Sequence, residues 1–140
     1  MTISTLVDTN VLIDILGPAE MDARRWSLAA LKQALAQGPI IFSAIVWAEL
    51  SRPSNDENDL LRAFAWLRPH REHFPFAAAY PAGAAHDFYR RRGGRRERTL
   101  PDFLIGAHAF ISGHRLLTRD AGRYRSYFPS LEIIAPDTHP

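Results

Sequence analysis

The stretch LVDTNVLID (Leu6–Asp14) begins as an apolar strand and then places an ionisable carboxylate, Asp8, where that strand hands over to a helix. Its context decides what Asp8 is for. Ile3 to Val7 read as a short buried strand, and Asn10 to Leu16 as the start of a helix that Gly17-Pro18 stops. A second helix runs from about Met21 to Ala36, with Trp26, Ala29, Ala30 and Leu35 on one face, and Gly38-Pro39 closes it. PIIFSAIVWAEL then gives a strand, Ile40 to Ser43, that turns into a helix near Ala44. Ser54 to Glu57 match a capping box opening a helix striped by Leu60, Leu61, Phe64 and Leu67, which Pro69 ends.

The carboxyl-terminal half repeats the alternation. A short strand is expected at Phe74 to Phe76, followed by a helix from Pro81 into a run of arginines. Thr99 to Gly113 form a helix, Leu116 to Thr118 a strand, Gly122 to Tyr127 a short helical turn and Leu131 to Ile134 a last strand. Strands alternating with helices predict an α/β fold, a mainly parallel sheet covered on both faces. In such sheets, sites form beyond the carboxyl ends of the strands, where successive connections diverge. Asp8 sits at such an end.

Composition sets the outer bounds. A chain of 140 residues, 46% hydrophobic, can bury one sizeable core, so a single domain spanning residues 1–140 is expected. There is no cysteine, hence no disulfide, zinc-thiolate site or cysteine nucleophile, which fits a reducing cytoplasm. The longest apolar run, IIFSAIVWA, falls short of the roughly 20 residues that span a bilayer, and MTISTLVDTN lacks the basic region of a signal peptide. No association with a membrane is expected. The net charge is only +2, yet Lys32 is the single lysine and arginine supplies the rest of the basic side.

Three further acids fall at places comparable to Asp8. Glu49 lies just over a helical turn beyond the strand IIFS, Asp102 lies in the first turn of PDFLIGAHAF, and Asp120 follows the strand in LLTRD. Each has an ordinary structural explanation. Asp8 and Asp102 suit helix caps, Glu49 can pair with Arg52 three residues on, and Asp120 can cap the turn at Ala121-Gly122. Taken together, four carboxylates at the strand-to-helix junctions of one sheet converge on one edge. Crowded carboxylates repel and raise one another's pKa unless a cation sits among them. An all-oxygen set, with neither cysteine nor paired histidine, selects magnesium or manganese over zinc. Such a site generates hydroxide near neutral pH and neutralises the leaving oxygen of an in-line displacement, which suits phosphodiester hydrolysis.

VDTNVLID, IVWAEL, LPDFLIGAHA and LLTRDAGRYRSYFP resemble, in order and spacing, the acidic motifs of the PIN-domain ribonucleases, and more narrowly a VapC-type toxin of a type II toxin–antitoxin pair. The likeness covers essentially the whole chain. It implies an α/β/α sandwich, a homodimer, a VapB-type antitoxin that masks the site, and magnesium-dependent cleavage of structured RNA such as tRNA or ribosomal RNA loops. Carried over, the metal-binding and catalytic acids fall on Asp8, Glu49, Asp102 and Asp120, with Asn10 and Thr118 as supporting polar positions.

YRRRGGRRER (Tyr89 to Arg98) carries six arginines and one acid just before the helix bearing Asp102. Arg90, Arg91 and Arg92 can offset a helix dipole. Arg95, Arg96 and Arg98 are assigned to RNA phosphates, because RNA must be drawn toward a negatively charged site. Most aromatics, including Tyr124, Tyr127 and Phe128 at helical spacing, are assigned to the core, and His70 and His73 to the surface. Competing classes fit less well: a phospho-accepting signalling domain needs a lysine near a late strand, and a haloacid-dehalogenase-type phosphatase needs an aspartate where Asn10 stands. The alternative reading is a non-catalytic RNA-binding or scaffold protein with structural acids, or another metal-dependent phosphohydrolase.

Overall fold

The computed structural model describes residues 2–94 and 99–140. Five strands, β1 (Thr5–Val7), β2 (Ile40–Ser43), β3 (His70–Glu72), β4 (Arg115–Leu117) and β5 (Ile133–Ile134), form one all-parallel sheet in the order β3-β2-β1-β4-β5. β1 is central, with Leu6 level with Ile41 on one side and Leu116 on the other. Its three residues are fully buried, as a strand covered on both faces must be. The helices are α1 (Thr9–Leu16), α2 (Asp22–Gln37), α3 (Ala44–Leu50), α4 (Glu57–Phe64), α5 (Phe76–Arg91), α6 (Leu100–Ile111) and the short α7 (Gly122–Arg125). They complete an α/β/α sandwich.

The connections explain where a site can form. β1 leads through α1 and α2 to β2 on one side, whereas β4 leads through α7 to β5 on the other. The strand order therefore diverges between β1 and β4, and a crevice opens beyond their carboxyl ends. Asp8 follows β1 there, and Thr118 to Asp120 follow β4.

Several sequence expectations shift. The strand expected at Phe74 to Phe76 lies at His70–Glu72, and α5 begins at Phe76 rather than Pro81, with Pro81 inside it. β3 is an exposed edge strand with a polar sequence, so hydropathy did not mark it. α4 is capped by Asp56, whose carboxylate accepts from Asn58 N (2.9 Å) and Asp59 N (3.3 Å), rather than by Ser54. Leu60, Phe64 and Leu67 are buried as expected while Leu61 is exposed. On α2 the buried stripe is Ser27, Ala30, Leu31 and Ala34, rotated from the expected face.

Candidate active site at the sheet edge

Asp8 caps α1 from an extended backbone conformation, and its Oδ1 accepts from the Thr9 amide at 2.8 Å. Its other oxygen does not face empty solvent. Oδ2 accepts from the Thr118 hydroxyl at 2.8 Å and the Tyr124 hydroxyl at 2.8 Å, with the Asn10 side-chain amide at 3.4 Å. Asn10 also donates to Thr118 Oγ1 at 3.3 Å and receives the Arg119 amide at 3.2 Å, so it ties α1 to the turn after β4. Asp8 is thus both a helix cap and the centre of a buried polar network. Burial pushes its carboxyl up to about 6; the hydrogen bonds from Thr118, Tyr124 and Thr9 oppose this, and the charge of Asp102 adds to it.

Asp102 also serves two purposes. Its Oδ2 accepts from the Thr99 amide at 3.0 Å, closing the capping box at the start of α6, where Pro101 occupies the first turn. Its Oδ1 accepts from Arg123 Nη1 at 3.2 Å. The same guanidinium donates through Nε to Asp120 Oδ2 at 2.8 Å. Asp120 is held by a further contact, its amide donating to Thr118 Oγ1 at 3.0 Å. Glu49, on α3, accepts from the hydroxyl of Thr9, the residue next to Asp8, at 2.6 Å. Asp8 beyond β1 and Asp120 beyond β4 thus join one network with Asp102, which starts α6 after α5 rather than after a strand as expected, and Glu49 is tied to it through Thr9.

Arg123 was not singled out in the sequence, and Tyr124 was assigned only to the core. Tyr124 is fully buried, as assigned, but its hydroxyl reaches Asp8; burial and then the negative charge of Asp8 hold its phenol well above the ordinary value, so it remains a donor. Gly106 on α6 makes this possible, because a Cβ there would lie 2.5 Å from Phe128 and 3.1 Å from Tyr124. Arg123 lies three residues after Asp120, a spacing visible in RDAGR, but its second partner Asp102 is distant in sequence. The guanidinium supplies the cation that crowded carboxylates require. An all-oxygen donor set gathered around a positive charge is what a hard divalent ion fits.

Among the arginines before α6, Arg91 pairs with Asp87 at 2.9 Å and Arg92 stacks over Phe88 at 5.3 Å, which matches a helix end. Arg95, Arg96 and Arg98 lie outside the described residues.

The PIN-domain family profile matches residues 5–128. The chain belongs to the PIN-domain family. PIN domains are generally nucleases. No curated protein matches the chain by sequence. Among solved structures, this PIN domain is similar to VapBC2 from Rickettsia felis bound to a DNA fragment from their promoter, at 17% identity and TM-score 0.72 over 95% of this chain and 98% of that one. It is also similar to FitAcB from Neisseria gonorrhoeae, at 22% identity and TM-score 0.67, covering 97% and 99% of the two chains. A toxin–antitoxin complex from Klebsiella pneumoniae shares 25% identity at TM-score 0.66, over 94% of this PIN domain and 97% of that chain.

Proposed function

We propose that this PIN domain is the toxin of a type II toxin–antitoxin pair, a VapC-type endoribonuclease dependent on magnesium or manganese. The observation that carries the reading is the network at the switch point of the sheet, in which Asp102 and Asp120 share the Arg123 guanidinium, Asp120 and Asp8 share Thr118, and Glu49 adjoins through Thr9. A divalent ion held by these four acids would lower the pKa of an attacking water and neutralise the leaving oxygen, leaving a 5′-phosphate and a 3′-hydroxyl. The chain's own groups do the positioning. Thr118, Tyr124 and Thr9 aim the Asp8 carboxylate by fixing both its oxygens, and the capping box fixes Asp102. Burial of Asp8 and Asp102 strengthens their attraction for a cation. Arg95, Arg96 and Arg98 are assigned to the RNA phosphates.

Two observations favour a protein partner. The likeness to toxin–antitoxin complexes is one. The other is the outer face of α5, where Phe76 and Tyr80 are 94% and 86% exposed and, with Phe88 and Arg91, line an open groove of about 770 Å³. Large exposed apolar patches of this kind mark interaction surfaces. The reading assigns this face to the homodimer and the acidic edge to masking by a VapB-type antitoxin.

Expression of the protein alone tests the function. Growth should slow, Asp8→Ala should relieve the arrest, and sequencing the new 5′ ends in cellular RNA should identify the substrate. Equal toxicity of the wild type and the variant contradicts the assignment.

A further inference from the structure

A second cluster of ligand-type side chains lies outside the acidic edge and shares no residue with it. Glu72 closes β3, His108 lies in the last turn of α6, and His114 immediately precedes β4. Both imidazoles turn Nε2 toward one carboxylate oxygen: His108 Nε2 lies 3.0 Å and His114 Nε2 2.9 Å from Glu72 Oε1. One ligand atom from each residue can be chosen so that all lie within 4.8 Å of one another. Edges of roughly 3.3 Å are what a tetrahedron with bonds of about 2 Å presents, so the two carboxylate–imidazole edges need open by only a few tenths of an ångström, while the imidazole–imidazole edge closes to that spacing around an ion.

The rings are also held from behind. His108 Nδ1 is 3.0 Å from Ser43 Oγ, and His114 Nδ1 is 2.6 Å from Ser4 Oγ. A hydroxyl that accepts the Nδ1 proton would free Nε2 for a cation, which then replaces the hydrogen bonds that the two rings make to Glu72 in the metal-free protein. Phe74 packs edge-on against His108 at 5.8 Å, which helps to keep that ring in place. His108 is buried, whereas Glu72, with Ser43, lines an open cavity of about 350 Å³.

We propose that Glu72, His108 and His114 form a zinc site, with two imidazoles and a carboxylate as protein ligands and water in the remaining position. Imidazole with carboxylate selects a borderline transition cation, in contrast to the all-oxygen edge that suits magnesium. The ion clamps the edge strand β3 to α6 and to the start of β4, elements far apart in sequence. The cluster was invisible in the sequence because 36 residues separate Glu72 from His108 and the two histidines are not at a recognised ligand spacing.

The test uses the full chain, stripped of metal and loaded with one equivalent of zinc, in the wild type and in Asp8→Asn. X-ray absorption at the zinc edge separates the two sites, since imidazole scattering arises at this cluster and none of the four edge acids supplies it. We expect about two imidazoles per zinc in both proteins. Glu72→Gln and His114→Gln should each weaken zinc binding at least ~10-fold, and Ser4→Ala, which leaves all the ligands in place, should weaken it roughly 10- to 100-fold. Zinc should raise the melting temperature of Asp8→Asn and not that of His114→Gln. An oxygen-only shell, no zinc retained by Asp8→Asn, or unchanged affinity in Glu72→Gln and Ser4→Ala would overturn the proposal, and each of these results leaves the nuclease reading standing.

Discussion

Asp8 accepts hydrogen bonds on both carboxylate oxygens and still sits at about 6 rather than 3.8, because burial outweighs its donors. The folded chain therefore holds the Asp8 proton more tightly than the unfolded chain does. That contribution to stability is complete below about pH 4 and is lost as the pH rises through about 6, a change of roughly 3 kcal/mol for two pH units. Other groups act in the opposite direction. Burial lowers His108, and at Glu72 burial is outweighed by hydrogen bonds from His114 and His108, so that carboxyl lies below its ordinary value. Comparing melts of the wild type and Asp8→Asn in EDTA between pH 4 and 8 isolates Asp8: the wild type should lose stability relative to the variant as the pH rises. Parallel curves would mean that Asp8 is not desolvated. Arg123 supports the opposite charge. Its half-exposed bridge to Asp102 and Asp120 stabilises the metal-free protein by up to about 1 kcal/mol, so Arg123→Gln should melt lower in EDTA yet bind manganese more tightly by calorimetry. Weaker manganese binding in that variant would show that Arg123 does not compete with the ion. Asp8 was legible as a singular residue because it breaks an apolar run, but its partners Thr118 and Tyr124 are more than a hundred residues away and carry no local signal.

α6 carries more of the site than its length suggests. Its capping box aims Asp102, Gly106 receives Tyr124 and Phe128, and His108 reaches Glu72. Adding a methyl group at Gly106 helps the isolated helix, by up to about 1 kcal/mol, but collides with the buried Phe128 ring and crowds that of Tyr124. Gly106→Ala should therefore destabilise the fold by roughly 1–2 kcal/mol in denaturant melts and displace the Tyr124 hydroxyl from Asp8. Cleavage should fall further than in a variant of equal instability elsewhere in the core. A stabilised Gly106→Ala would mean that the α6–α7 packing is looser than described. The start of α6 was readable from Thr99, Pro101 and Asp102, since caps are written in neighbouring residues. β3 was not, because an edge strand of sequence HRE has neither alternation nor apolar content and is fixed by pairing with β2.

At the scale of the whole molecule, alternating elements were enough to give the parallel α/β/α architecture, because a buried central strand such as β1 requires helices on both faces. The same alternation marked Asp8 and Asp120 at strand ends but not how they are joined to Asp102, which follows α5, or to Glu49, since that depends on Arg123, Thr9 and Thr118 crossing between elements. Among the described residues no helix is long and apolar enough to cross a membrane. The exposed α5 face should instead meet a second copy: sedimentation should give a dimer whose dissociation constant rises at least ~10-fold on Phe76→Ser with Tyr80→Ser, whereas a wild-type monomer would return that face to solvent. Cleavage of RNA by purified wild type and Asp8→Asn, in EDTA and after excess magnesium or manganese, tests the central claim most directly. The account predicts no cleavage by the wild type in EDTA, recovery with either ion, and none by Asp8→Asn under any condition. Unaltered cleavage in EDTA, or full activity of Asp8→Asn, would contradict it.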